Sequence, residues 1–164
     1  MNKDFALRTE VLHPLSVHFP IALLVTATVI GMVTLFLRLE KKQFMQNLCI
    51  ILMLLGTIGS WVSIYTGSLA DGIVARNLCD PTVLKDHEIA AYTLAYLYSS
   101  ATVIYVMILF TSLKSWLRNG LQYLTTFLMV IGLGYLVYTS HLGASLVYEQ
   151  GAGVNKPSAD CNGF

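Results

Sequence analysis

Charged residues are confined to short intervals of this chain, and four long stretches between them contain no Asp, Glu, Lys or Arg. The stretches are residues 11–37, 43–70, 89–113 and 119–148, with lengths of 27, 28, 25 and 30. About 20 apolar residues in a helix cross the hydrocarbon core of a bilayer. Only a backbone that satisfies its own hydrogen bonds survives there, so each stretch predicts a helix. The expected fold is all-α: a polytopic membrane protein whose four transmembrane helices form an antiparallel bundle. The expected spans are about 14–37, 44–70, 87–113 and 121–147, within a membrane domain of residues 11–148. Residues 1–10 form an N-terminal segment. Residues 149–164 form a tail rich in Gly, Pro, Asn and Ser, which reads as loop. No internal repeat is evident.

Of the 164 residues, 110 lie in the four stretches, and the other 54 carry all 19 charges. A hydrophobic fraction of 55% and a mean hydropathy of +0.66 exclude an ordinary soluble domain. There is no basic stripe to track a phosphate backbone, so nucleic acid is not an expected partner. Orientation follows from the connections. RLEKK at 38–42 and KSWLR at 114–118 hold five basic groups and one acid, a net of +4. Residues 1–10, 71–88 and 149–164 together hold five basic groups and eight acids, a net of −3. The basic connections are expected in the cytoplasm, with both termini and the second loop on the outer side. Lys3 and Arg8 before an apolar run suggest a signal peptide, but the run is too long and basic residues follow it. It reads as a retained first span.

Within the spans, Pro14 and Pro20 suit either a helix that starts near Pro14 and bends at Pro20, or one that starts only at Pro20. Gly56, Ser60, Ser63 and Gly67 make one small-residue stripe in span 2, which lets a helix or a flat ligand approach closely. Asp86 is the expected N-cap of span 3. Cys49 reads as a small core residue. Cys79 and Cys161 both fall on the expected outer side, where a disulfide between them is permitted.

The four histidines carry the candidate chemistry. His13 and His18 open span 1, His87 opens span 3, and His141 closes span 4, so all four sort to one end of the bundle. Neutral imidazole ligates haem iron, copper and zinc, and two histidines on different helices can clamp a haem. The expected cofactor-binding set is His18, His87, His141 and His13, with Gly134 and the span 2 stripe making room for a ring. His18, His87 and His141 are the expected ligands if the site holds copper or zinc instead. No catalytic residue is expected: there is no phosphate loop, nucleophile elbow or HExxH. No CxxCH is present for covalent haem, and no intramembrane acid suggests a proton relay.

HPLSVHFPIALL at 13–24, the lone His87 opening span 3, and HLGASLVYEQGAGV at 141–154 resemble the bacterial membrane family catalogued as domain of unknown function 2231. The resemblance covers roughly residues 12–154. It implies a four-helix domain of the bacterial inner membrane. Relatives fused to or encoded near c-type cytochrome domains imply respiratory electron transfer. The family's motif histidines correspond to His13, His18, His87 and His141, and its closing Gly-Gly pair is Gly143-Ala144 here.

Three readings stand side by side. The first is a b-type haem protein passing electrons between quinol and an outer carrier such as a c-type cytochrome, an electron-transfer subunit rather than a stand-alone enzyme. The second is a cofactor-free structural or assembly subunit of a membrane complex, as a homo- or hetero-oligomer. The third is a copper or zinc site at the outer surface.

Overall fold

The computed structural model describes residues 8–37 and 39–154, and these residues form a four-helix bundle. The helices are α1 (Thr9–Thr34), α2 (Leu39–Val74), α3 (Pro81–Phe110) and α4 (Ser115–Tyr148). All four are long and apolar enough to cross a membrane. At 26 to 36 residues they run about 39–54 Å, well beyond a hydrocarbon core of about 30 Å. Their ends therefore project past the hydrocarbon. The cysteine pairing expected between Cys79 and Cys161 falls outside the described residues at Cys161, while Cys79 itself is exposed.

Polar groups line the interior and large apolar groups cover the outside, as lipid contact requires. Phe19, Phe36, Phe110, Phe127 and Val137 are exposed, while Thr28, Thr102, Thr125 and Ser60 are buried. Several buried hydroxyls are satisfied by a carbonyl one turn back on their own helix. Thr28 lies 2.8 Å from the Leu24 carbonyl, and Thr126 donates to that of Gln122 at 3.0 Å. Cys49 is fully buried, with its Sγ 3.4 Å from the Ala27 carbonyl.

Two expected helix starts move. α1 begins at Thr9 and runs through both prolines, so His13 sits on the helix rather than on a lead-in. Pro20 is accommodated because Gly59 faces it: a Cβ at Gly59 would lie 3.3 Å from the proline ring. α3 starts at Pro81, not at His87. Its cap is Asp80, whose Oδ1 accepts from the Thr82 amide at 2.9 Å and the Thr82 hydroxyl at 2.6 Å. Pro at the first helical position gives up an amide that had no partner anyway. Asp86 lies inside the helix. The backbone amide of Asp80 also donates to Gln150 Oε1 at 3.1 Å, tying this loop to the end of α4. There Gly151, at φ 68°, takes the left-handed turn that stops the helix.

α1 packs closely along α2, and α3 along α4, while the seams between these two hairpins are looser. The second hairpin repeats the contacts of the first, contrary to the expectation of no repeat. Leu24 on α1 fills the space above Gly56, and Tyr98 on α3 fills the space above Gly132. The offsets are 98 − 24 = 74 and 132 − 56 = 76. At the same offsets Ala27-Thr28-Val29-Ile30 matches Ala101-Thr102-Val103-Ile104, and buried Met53 matches buried Met129.

Candidate functional site

The repeated plan ends in a pair of histidines. On α1, His13 sets Nδ1 2.9 Å from the Ser63 carbonyl of α2. On α3, His87 sets Nδ1 3.0 Å from the Thr139 carbonyl of α4. A carbonyl only accepts, so Nδ1 carries the proton in each ring and Nε2 keeps the lone pair. Each ring rests on a glycine one helical turn beyond its carbonyl. A Cβ at Gly67 would lie 3.1 Å from His13 Nδ1, and one at Gly143 would lie 3.2 Å from His87 Cε1. Only a residue without a side chain lets the imidazole lie that close to the helix. The offsets are those of the repeat: 87 − 13 = 74, 139 − 63 = 76 and 143 − 67 = 76.

The two half-buried rings meet at the seam between the hairpins. Their centroids are 6.0 Å apart and their planes cross at 88°. Beside them are two hydroxyls without partners. Among the described residues three buried side-chain polar atoms lack a hydrogen bond, and two are Ser63 Oγ and Thr139 Oγ1. These belong to the very residues whose carbonyls hold the imidazoles. A buried unpaired polar group is costly, and each residue that holds an imidazole through its carbonyl also carries an unsatisfied hydroxyl.

The histidines expected to converge are only partly those that do. His13 and His87 come together, whereas His18 and His141 are exposed. The reason is helical phase. His18 is five residues from His13, about 140° round the helix, and His141 is two residues from Thr139, about 160° round. Starting α1 at Thr9 is what points His13 inward. Among the described residues no three His, Cys, Asp or Glu groups gather at one point, and His18, His87 and His141 are not brought together. The stripe of Gly56, Ser60, Ser63 and Gly67 does face inward, but Leu24 and His13 fill it at Gly56 and Gly67. It serves contact between α1 and α2. Gly134 is exposed on the opposite face of α4 from buried Gly132, beside Tyr135 and Tyr138. Neither feature makes room for a ring at the imidazole pair.

Sequence reasoning missed Ser63, Gly67, Thr139 and Gly143 as supports of the histidines. Their signal is a hydroxyl residue four positions before a glycine near the end of both α2 and α4: SIYTG and TSHLG.

The family described as a predicted membrane protein (DUF2231) matches residues 9–156. The chain belongs to this family. The match spans all four helices and the glycine turn after α4, so the paired histidines and their supports all lie within the family region. Within it Ala144 is exposed, whereas Gly143 lies against His87. No curated protein and no solved structure matches the chain.

Proposed function

We propose that the protein is a metal-binding membrane subunit in which His13 and His87 ligate one transition-metal ion, copper first, at the histidine end of the bundle. The observation that carries this reading is the anchored ring pair. Both imidazoles are held in the tautomer that presents Nε2, by the carbonyl bond that typically orients metal-binding histidines. The ring centroids are 6.0 Å apart, close enough for two neutral imidazoles to hold one ion, which would suit copper or zinc. The unpaired hydroxyls of Ser63 and Thr139, the residues that hold the two rings, would supply oxygen donors.

Haem b is the second reading, because two imidazoles on different helices would also hold its iron. The chain's own packing favours it less. Gly56 and Gly67 of the stripe assigned to a macrocycle are filled by Leu24 and His13 of α1, and the two residues that hold the rings carry unpaired hydroxyls, which suit a polar occupant better than a porphyrin face. A haem or copper centre would make this an electron-transfer subunit, and quinol or a c-type cytochrome would be its exchange partner. The excess of basic residues in the connections 38–42 and 114–118 supports a cytoplasmic position for that end and an outer position for the histidines. That is the topology of a bacterial inner-membrane protein.

The test is metal analysis and an absorption spectrum of protein purified from cells supplied with both copper and haem precursor. About one copper per chain, lost in both His13→Ala and His87→Ala, is the expected result. A Soret band lost in the same two variants would decide for haem. Folded protein carrying neither would leave the cofactor-free structural subunit as the better account.

A further inference from the structure

At the opposite end of the bundle a small pocket opens between the end of α1, the start of α2 and the second and third turns of α4. Its lining is Leu35, Lys42, Asn119, Gln122 and Tyr123, and its volume is about 90 Å³. A bound water takes roughly 10–15 Å³ on this measure, so the pocket has room for the four oxygens of a tetrahedral anion. Gln122 is among its lining residues. It is 4% exposed, and its Nε2 is buried behind the pocket wall with no hydrogen-bond partner. It is the third unpaired buried side-chain group among the described residues. Its counterpart one hairpin earlier, at 122 − 76 = 46, is Gln46, on the half-buried part of α2.

The chemistry of the lining has one sign. Lys42 brings an ammonium, and Asn119 and Gln122 bring amide donors. Among the described residues no carboxylate lines the pocket. α4 starts nearby at Ser115 with no side-chain cap on its first amides, so the positive end of its dipole points to the same end of the bundle. The two connections at this end, 38–42 and 114–118, add a net charge of +4. A basic pocket between helices at the headgroup level is the kind of place that takes a lipid headgroup.

We propose that this pocket binds a phosphate group, with Lys42 pairing its charge and the Gln122 amide turning toward the pocket to donate to one of its oxygens. The group comes either from an anionic phospholipid of the surrounding leaflet or from free phosphate. A lipid has the advantage of position, since its phosphate is already held at the depth where the helices leave the hydrocarbon. The site is independent of the histidine pair, lying at the other end of the helices.

Two arms test it on the full chain. In the first, the protein is placed in nanodiscs of phosphatidylcholine with a minor share of phosphatidylglycerol, released, and weighed by native mass spectrometry. In the second, lipid-stripped protein in detergent is heated with inorganic phosphate or with chloride at equal ionic strength. Selective retention of phosphatidylglycerol without a phosphate effect assigns the site to lipid. A rise in melting temperature with phosphate, and no lipid preference, assigns it to the free anion, and both together assign it to the phosphate group whatever its source. Lys42→Gln should weaken whichever binding is seen by about fivefold. Gln122→Leu should weaken it too while leaving the unliganded protein at least as stable, because it removes an unpaired buried amide. Absence of selectivity in both arms, or binding by both variants equal to that of the parent, would overturn the proposal.

Discussion

Leu24 fills the notch at Gly56 in the first hairpin, and Tyr98 fills the notch at Gly132 in the second. The positions are equivalent and the crowding is alike: a Cβ at Gly56 would lie 2.6 Å from Leu24, and one at Gly132 would lie 2.7 Å from Tyr98. What differs is the hydroxyl. Tyr98 Oη lies 3.2 Å from the Met129 carbonyl on α4 and 2.7 Å from Thr28 Oγ1 on α1. One phenol thus joins its own hairpin and the other. The reverse difference appears near the histidines. Ser16 lies 2.9 Å from Thr66 Oγ1 in the first hairpin, and the equivalent positions 90 and 142 are alanine and leucine. Close packing of helix on glycine is common to both hairpins. The Tyr98 link crosses from one hairpin to the other, whereas the Ser16–Thr66 link stays within the first.

The largest expected effect concerns the feature the hairpins share. If the paired histidines form one two-sided site, His13→Ala and His87→Ala should each remove the bound metal completely, and to the same degree. His18→Ala and His141→Ala should leave the stoichiometry of purified protein unchanged, as their rings are exposed. Loss of metal from His141→Ala with retention in His13→Ala would break the equivalence and restore a site built on the exposed rings.

The next effect separates the hairpins. Gly132→Ala and Gly56→Ala both overpack the bundle, at a typical cost of about 1–3 kcal/mol. Leu24 can change rotamer to give way. The Tyr98 ring is rigid and tethered at its hydroxyl, so moving it also loses a hydrogen bond, about 1 kcal/mol more. Gly132→Ala should therefore lower the denaturant midpoint in detergent further than Gly56→Ala. Equal losses would show that the phenol is not a tether.

Much of this was legible beforehand, and the misses have physical causes. The four uncharged runs specified four helices because charge is expensive in hydrocarbon, and Cys49 and the glycine-serine stripe were legible as packing. The repeat was hidden because its offset changes from 74 between α1 and α3 to 76 between α2 and α4, so no single shift aligns both halves. The choice of histidine pair was hidden because it depends on helical phase. A start at Thr9 rather than Pro14 or Pro20 decides whether His13 is on a helix at all, and one turn of helix decides which ring faces inward. Asp80-Pro81-Thr82 carried a complete start signal that lay six residues upstream of the apolar run used to place α3.

Tyr98→Phe isolates the hydroxyl from the ring. It keeps the fit at Gly132 and removes only the bonds to Met129 and Thr28. Thr28 still has the Leu24 carbonyl as a partner at 2.8 Å, so no buried donor is stranded. The expected cost is about 1 kcal/mol, smaller than that of Gly132→Ala and read in the same unfolding assay. A loss as large as that of Gly132→Ala would mean that the hydroxyl, not the ring, carries most of the second hairpin's packing.

The smallest effect belongs to the loop that joins the hairpins. The Thr82 hydroxyl, and then the Thr82 amide, donate to the Asp80 carboxylate and hold its pKa below the usual carboxylate value. A carboxylate depressed in the folded state binds fewer protons there than in the unfolded chain. Its stabilising contribution is therefore fully present above the ordinary carboxylate range and is lost as pH falls through the lower folded value. Asp80→Ala should melt slightly below the parent at neutral pH, and the gap should narrow on acidification, since the parent loses the charged cap that the variant never had. The side chain is fully exposed to solvent screening, so the gap is expected to be small and to shrink in high salt. A gap that stays constant from neutral pH to below the carboxylate range would show that the charge of Asp80 does not cap the helix, and, since the variant keeps the backbone bond to Gln150, would make the joint between the hairpins a matter of chain geometry rather than of charge.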